Sequence, residues 1–152
     1  MSNSSSKTTQ IHIAPDPKMV TVIQRFNIPP DQHAGFTQQA SYQISNLKEQ
    51  PEFASAMLFR GRDSEQIAFY SQWRKIADSP VPTKVPTEWS LASALPMFAL
   101  LDSRTYTVEF TDAAGQPTLL SLEQTPLVHF GIFTVSRENQ DHLLNLAREN
   151  AP

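Results

Sequence analysis

The chain has 152 residues, enough for one domain able to bury roughly two thirds of the surface its unfolded form exposes. An apolar fraction of 39% and a charged fraction of 18% predict a folded protein of ordinary solubility. Twelve Lys and Arg against fifteen Asp and Glu leave a formal charge of −3 with no basic run, which argues against nucleic acid as a partner; the lack of cysteine excludes disulfides, thiolate nucleophiles and cysteine-ligated metals and fits a reducing compartment, the cytoplasm.

Residues 1–18 read as a flexible tail. Met1 to Gln10 is rich in Ser and Thr with no apolar export segment, and Pro15 and Pro17 break the stretch between it and Met19. Ile11-His12-Ile13 has the composition of a short edge strand. No later stretch approaches the ~18 consecutive apolar residues of a membrane span. Residues 19–152 are expected to form a single domain. Met19 to Ile28 is rich in β-branched and aromatic residues and stops at Pro29-Pro30, which predicts a strand. Asp31 then opens a helix in which Phe36, Ala40, Ile44 and Leu47 share one face, and Pro51 ends it.

Ala54 to Arg60 and Gln66 to Trp73 are two more apolar segments around a short polar connection, the pattern of an antiparallel pair. From about 78 to 97 the prolines at 80, 82, 86 and 96 forbid a long helix. This stretch is read as an insert with a short helix capped by Thr87, serving as a lid or a dimer arm. Arg104 to Thr111 alternates, with Tyr106, Val108 and Phe110 on one face; Asp112 to Gly115 reads as a turn and Pro117 to Leu122 as the return strand. Leu127 to Val135 reads as an apolar strand, leading into a helix capped by Ser136. That strand and helix echo Thr21 to Ile28 and its helix at an offset of 107 residues, so 127–152 is a candidate partial second repeat. The unpartnered strand edge of such a half-repeat favours a homodimer with exchanged elements.

The stretch from Val20 to Trp73 resembles the antibiotic biosynthesis monooxygenase family. Three features carry the likeness: the strand VTVIQRFNI running into a helix, Gln50-Pro51-Glu52-Phe53 before Ala54-Ser55-Ala56, and the strand ending Phe69-Tyr70-Ser71-Gln72-Trp73. The resemblance implies an α+β, ferredoxin-like antiparallel sheet with helices on one face, assembled as a dimeric α+β barrel around apolar pockets. It further implies metal- and flavin-free oxygenation of aromatic phenols, with the strand Trp lining the pocket. In such enzymes an Asn four residues before that Trp contacts the substrate; here the position is Phe69, and Glu52 stands where Gly is common.

Trp73 is therefore either a pocket wall or a core aromatic, with Tyr70 on the opposite face of its strand. Arg25 and Asn27 share a face of the first strand; they and Arg60 are either polar groups at the pocket mouth or surface residues. Phe59, Phe69, Trp89 and Tyr106 complete the expected lining. His129, within an apolar strand, is either a general base for a phenolic proton or a hydrogen-bonded core histidine. His33, His129 and His142 have no metal-binding spacing, and no glycine-rich phosphate loop or nucleophile elbow is present; no cofactor is expected. The sequence thus points to a cofactor-independent monooxygenase for an aromatic or polyketide-type molecule, with Trp73, Asn27 and His129 as the catalytic candidates. A non-catalytic small-molecule-binding or stress-related barrel is the alternative. Haem binding is a third reading, since related barrels hold haem.

Overall fold

The computed structural model describes residues 10–62, 65–75, 80–111, 118–121 and 127–149. They belong to two compact units, Asp16–Thr107 and a second built from Met1–Pro15 with Val108–Pro152.

The first unit is a four-stranded antiparallel sheet. Its strands are β2 (Met19–Asn27), β3 (Phe53–Arg60), β4 (Gln66–Arg74) and β5 (Ala99–Tyr106), in the spatial order β3-β4-β2-β5. Taken in chain order within the unit, the second, third, first and fourth strands lie side by side. That is the ferredoxin-like α+β arrangement. The first crossover, from β2 to β3, is α1 (His33–Leu47), entered through a 3-10 turn at Pro30–Gln32. Asp31 sits in that turn, and Gln50-Pro51 closes the far end.

The segment read as an insert forms the second crossover, from β4 to β5, in the place a second long helix would take. Its prolines restrict it to a 3-10 turn at Thr87–Trp89 and the single turn α2 (Leu91–Ala94). The cap of α2 is Ser90, whose side chain accepts from Ser93 N, and not Thr87. Thr105 Oγ1 donates to Pro82 O at 2.7 Å, tying the crossover to β5.

Alternate residues of β2 make the core. Val20, Val22, Gln24 and Phe26, with Ile28 just past the strand end, are fully buried and face α1, where Phe36, Ala40 and Leu47 meet them. Phe36 touches Phe26 and Phe98, with ring centroids 5.1 and 4.9 Å apart.

Three expected strands need correction. β5 lies earlier than Arg104–Thr111: Tyr106 already pairs with Thr21, close to the start of β2 at Met19, so almost no partner strand is left for later residues. The strand after the expected turn does exist as β6 (Thr118–Ser121), but it pairs with β1 (Gln10–Ile13) in the second unit rather than folding back on β5. The turn itself, with 112–117, lies outside the described residues, as do 1–9 of the tail. Leu127–Val135 has no strand: no ladder is present, and Leu127 and Phe133 are 77% and 78% exposed. The echo of β2 and α1 then rests on sequence pattern alone. Arg137–Asn139 and α3 (Gln140–Glu149) come next, with Ser136 contributing its carbonyl, not its hydroxyl, to the first turn. Among the described residues no helix is long and apolar enough to cross a membrane.

Candidate functional site

Strand register decides which candidate residues share a face of the sheet. Trp73 lies opposite Val20 and Phe69 opposite Gln24, both on the α1 face. Asn27 pairs with Gln66 and Ala99, Phe59 with Ala68, and Tyr106 with Thr21, all on the other face, with Arg25 and Tyr70. A single pocket lined by Asn27, Phe59, Trp73 and Tyr106 is therefore not what the fold builds. The two groups are back to back across the sheet.

On the α1 face, Trp73 is fully buried and Trp89 nearly so. Their rings stack 5.0 Å apart at an interplanar angle of 9°, and Phe53 meets Trp73 edge-on at 5.4 Å. Trp73 Nε1 donates to Ser71 Oγ at 2.8 Å, which satisfies the one polar atom of the ring inside the core. Trp89 also walls a surface cleft of about 300 Å³ with Gln50, Glu52, Lys75, Pro80, Pro82, Pro86 and Glu88. The outer tryptophan of the stack thus borders the cleft while the inner one is core. Phe69 is buried in the same cluster. Arg60 ends β3 exposed to solvent.

Gln24, which sequence reasoning misses, is the one polar residue among the four α1-facing positions of β2, Val20, Val22, Gln24 and Phe26. Its Nε2 donates to Ser90 Oγ and Ser103 Oγ, both at 2.9 Å, and its Oε1 accepts from Ala92 N at 3.2 Å. The fully buried carboxamide thereby joins β2, β5 and the start of α2. Its one signal in the sequence is a polar residue breaking an apolar alternation.

The opposite face carries charge. Arg25 lies 3.7 Å from Asp102, and Arg104 Nε donates to Asp102 Oδ1 at 2.9 Å. Among the described residues, Arg25 Nε and the Tyr106 hydroxyl are buried without a hydrogen-bond partner. Burial first, then the Asp102 carboxylate, pushes the Tyr106 phenol above its ordinary value. Ser55 Oγ donates to Gln72 Oε1 at 2.9 Å and Gln72 Nε2 to Tyr70 OH at 3.2 Å, so Tyr70 is part of a buried polar chain.

Asn27 is exposed at the end of β2, and His129 is exposed in the second unit, where the strand expected to bury it is not formed. The exposure of Asn27 fits its reading as a surface residue at a strand end, whereas His129 lacks the burial expected of it. His33 Nε2 donates to Ile28 O and so serves the start of α1. Among the described residues no group of three or more His, Asp or Glu is placed to hold a metal ion.

No model of a known protein family matches the chain. It is 31% identical over 67 residues to tetracenomycin F1 monooxygenase of Streptomyces glaucescens, a match covering 43% of this chain. The chain spans about 60% of the length of that curated relative. Among solved structures, a point mutant of SnoaB, a cofactor-independent oxygenase from Streptomyces nogalater, overlaps 62% of this chain and 96% of its own, with TM-score 0.48 and 20% identity. A monooxygenase-like protein from Shewanella loihica PV-4 overlaps 61% of this chain and 96% of its own, with TM-score 0.45 and 20% identity. The resemblance to the antibiotic biosynthesis monooxygenases read from Val20 to Trp73 is thus met by a curated monooxygenase.

Proposed function

We propose that the chain is a cofactor-independent monooxygenase for an aromatic or polyketide-type small molecule bound at the cleft beside Trp89. The observation that carries this reading is the Trp73–Trp89 stack bordering that cleft, in a chain 31% identical over 67 residues to a tetracenomycin monooxygenase. A flat aromatic substrate extends the stack from the Trp89 side, and Pro80, Pro82 and Pro86 give the cleft apolar walls with little conformational freedom to lose. Glu52 or Glu88 at the rim takes a phenolic or benzylic proton. The resulting carbanion passes an electron to O2. One oxygen atom enters the ring, the other leaves as water, and the substrate loses two hydrogens.

The protein's part is to orient and deprotonate, which for a substrate with a stabilised carbanion is most of the barrier. A homodimer in the cytoplasm completes the proposal. Its support is that, among the described residues, β3 and β5 each pair on one side only, with Leu100 and Leu101 exposed on β5. Oxygen uptake by chelator-treated protein with a panel of anthrones and hydroquinones tests the reading. It should exceed the autoxidation control and fall at least tenfold in Trp73→Phe, which disturbs the stack and its hydrogen bond. Uptake at the control rate throughout would reject it.

One observation favours a second reading, a non-catalytic binder of the same fold. Phe69, fully buried, stands where the resemblance places a substrate-contacting Asn. Saturable aromatic binding without oxygen uptake would distinguish it.

A further inference from the structure

We propose that the hydroxyls of Ser90 and Ser103, aimed by Gln24, form a two-donor site for the phenolate or enolate oxygen of an aromatic ligand. The proposal rests on the reading of this chain as an aromatic-molecule oxygenase or binder and names the group that meets the charged oxygen.

A serine hydroxyl has one hydrogen and two lone pairs. Both N–H bonds of the Gln24 carboxamide are spent on the two serine oxygens, at 2.9 Å each. Ser90 Oγ accepts a second bond from Ser93 N at 3.0 Å, which fills its lone pairs. Each serine is therefore fixed as an acceptor toward Gln24 and left with its O–H pointing elsewhere. Among the described residues neither hydrogen has an acceptor. Each serine therefore keeps one donor available to a ligand. Both oxygens lie 2.9 Å from the same nitrogen, one on each N–H of the Gln24 carboxamide.

The register makes this pair a replacement for the missing Asn. Phe69, Gln24 and Ser103 lie in one row across β4, β2 and β5. The carboxamide absent at 69 is thus present one strand over, with two hydroxyls extending its reach. Ser90 is next to Trp89 in the chain, so one donor is a residue away from the wall of the cleft. Ser103 is half-buried, which leaves an approach from the β5 edge. Two preorganised O–H donors in a water-poor site are suited to a ring oxygen that becomes an anion. In this arrangement Gln24 is a positioning residue, and the serines are the groups that touch the ligand.

The test uses the full chain and 2-naphthol, which reads oxygen binding apart from oxygenation. Absorbance gives the pH at which the bound naphthol ionises. It should ionise at lower pH bound than free. Ser90→Ala with Ser103→Ala should abolish that lowering and weaken naphtholate binding about tenfold, with naphthalene binding unchanged. Gln24→Leu should act in the same direction, and Ser103→Thr, which keeps a hydroxyl, should behave as wild type. Ser103→Ala alone, on an edge strand, is the measurement to use if the double variant loses its circular dichroism. Unchanged naphtholate affinity in the serine variants, or no lowering in wild type, would overturn the donor pair. Oxygen uptake that survives both alanines would overturn it while leaving the oxygenase reading intact. Serine-dependent naphtholate binding without oxygen uptake from any substrate would support it and reject the oxygenase.

Discussion

Trp73 combines two roles that a strand tryptophan usually keeps apart, a buried core ring and one plate of a stack whose other plate borders a cleft. Replacing it with Phe removes the bond to Ser71 and part of the contact with Trp89. The expected cost is about 1–2 kcal/mol in urea unfolding, with the two-state transition kept. Tyr106 gives a pH-dependent counterpart on the other face. Its phenol is held above the ordinary value of 10.0, first by burial and then by Asp102. A raised folded-state pKa means the folded protein holds the proton more tightly than the unfolded chain. That stability is complete below pH 10 and is lost as pH rises through the folded value. Thermal unfolding scanned from about pH 8 upward should show a fall beginning near the ordinary tyrosine value that is smaller in Tyr106→Phe; an identical fall in the variant would assign it to other groups.

Among the elements, α1 is held to the sheet by one short row of side chains. Phe36→Ala should cost about 3–5 kcal/mol, because the ring is fully buried between Phe26 and Phe98. Tyr42→Ala on the same helix, 68% exposed, should cost under about 0.5 kcal/mol. Equal costs measured by denaturant unfolding would mean the helix packs on a different face. The run from β2 to β4 is legible in the sequence because strict alternation, a helical repeat and prolines at the boundaries all agree. β5 is misplaced by sequence because the alternation from Arg104 to Thr111 continues past the end of its partner strand, and the length of a ladder belongs to both strands. Leu127–Val135 misleads for a related reason: apolar composition marks a segment able to pair, and whether it pairs is set by the surrounding fold. For the site, Trp73, Phe69 and Trp89 are visible as residues. Which of the other candidates share their face is not, since parity across strands is set by register, and a one-residue shift would exchange every face assignment. Gln24 is silent in the sequence because an interior Gln acquires meaning only from Ser90 and Ser103, 66 and 79 residues away.

At the scale of the whole molecule, the sheet of Asp16–Thr107 supplies a closed aromatic face under α1 and a charged opposite face on which, among the described residues, Arg25 Nε and Tyr106 OH are unpaired donors. Light scattering at micromolar concentration should give twice the chain mass of 17.1 kDa, and a monomer would remove the proposed dimer. The proposed activity is insertion of one atom of O2 into an aromatic substrate without a cofactor. The measurement that meets it most directly is a turnover of an anthrone under oxygen-18 gas with chelator-treated protein. The predicted result is one labelled oxygen in the quinone product, formed faster than in the protein-free control. Product formed only at the control rate, or carrying oxygen from water alone with non-exchanging controls in place, would contradict it.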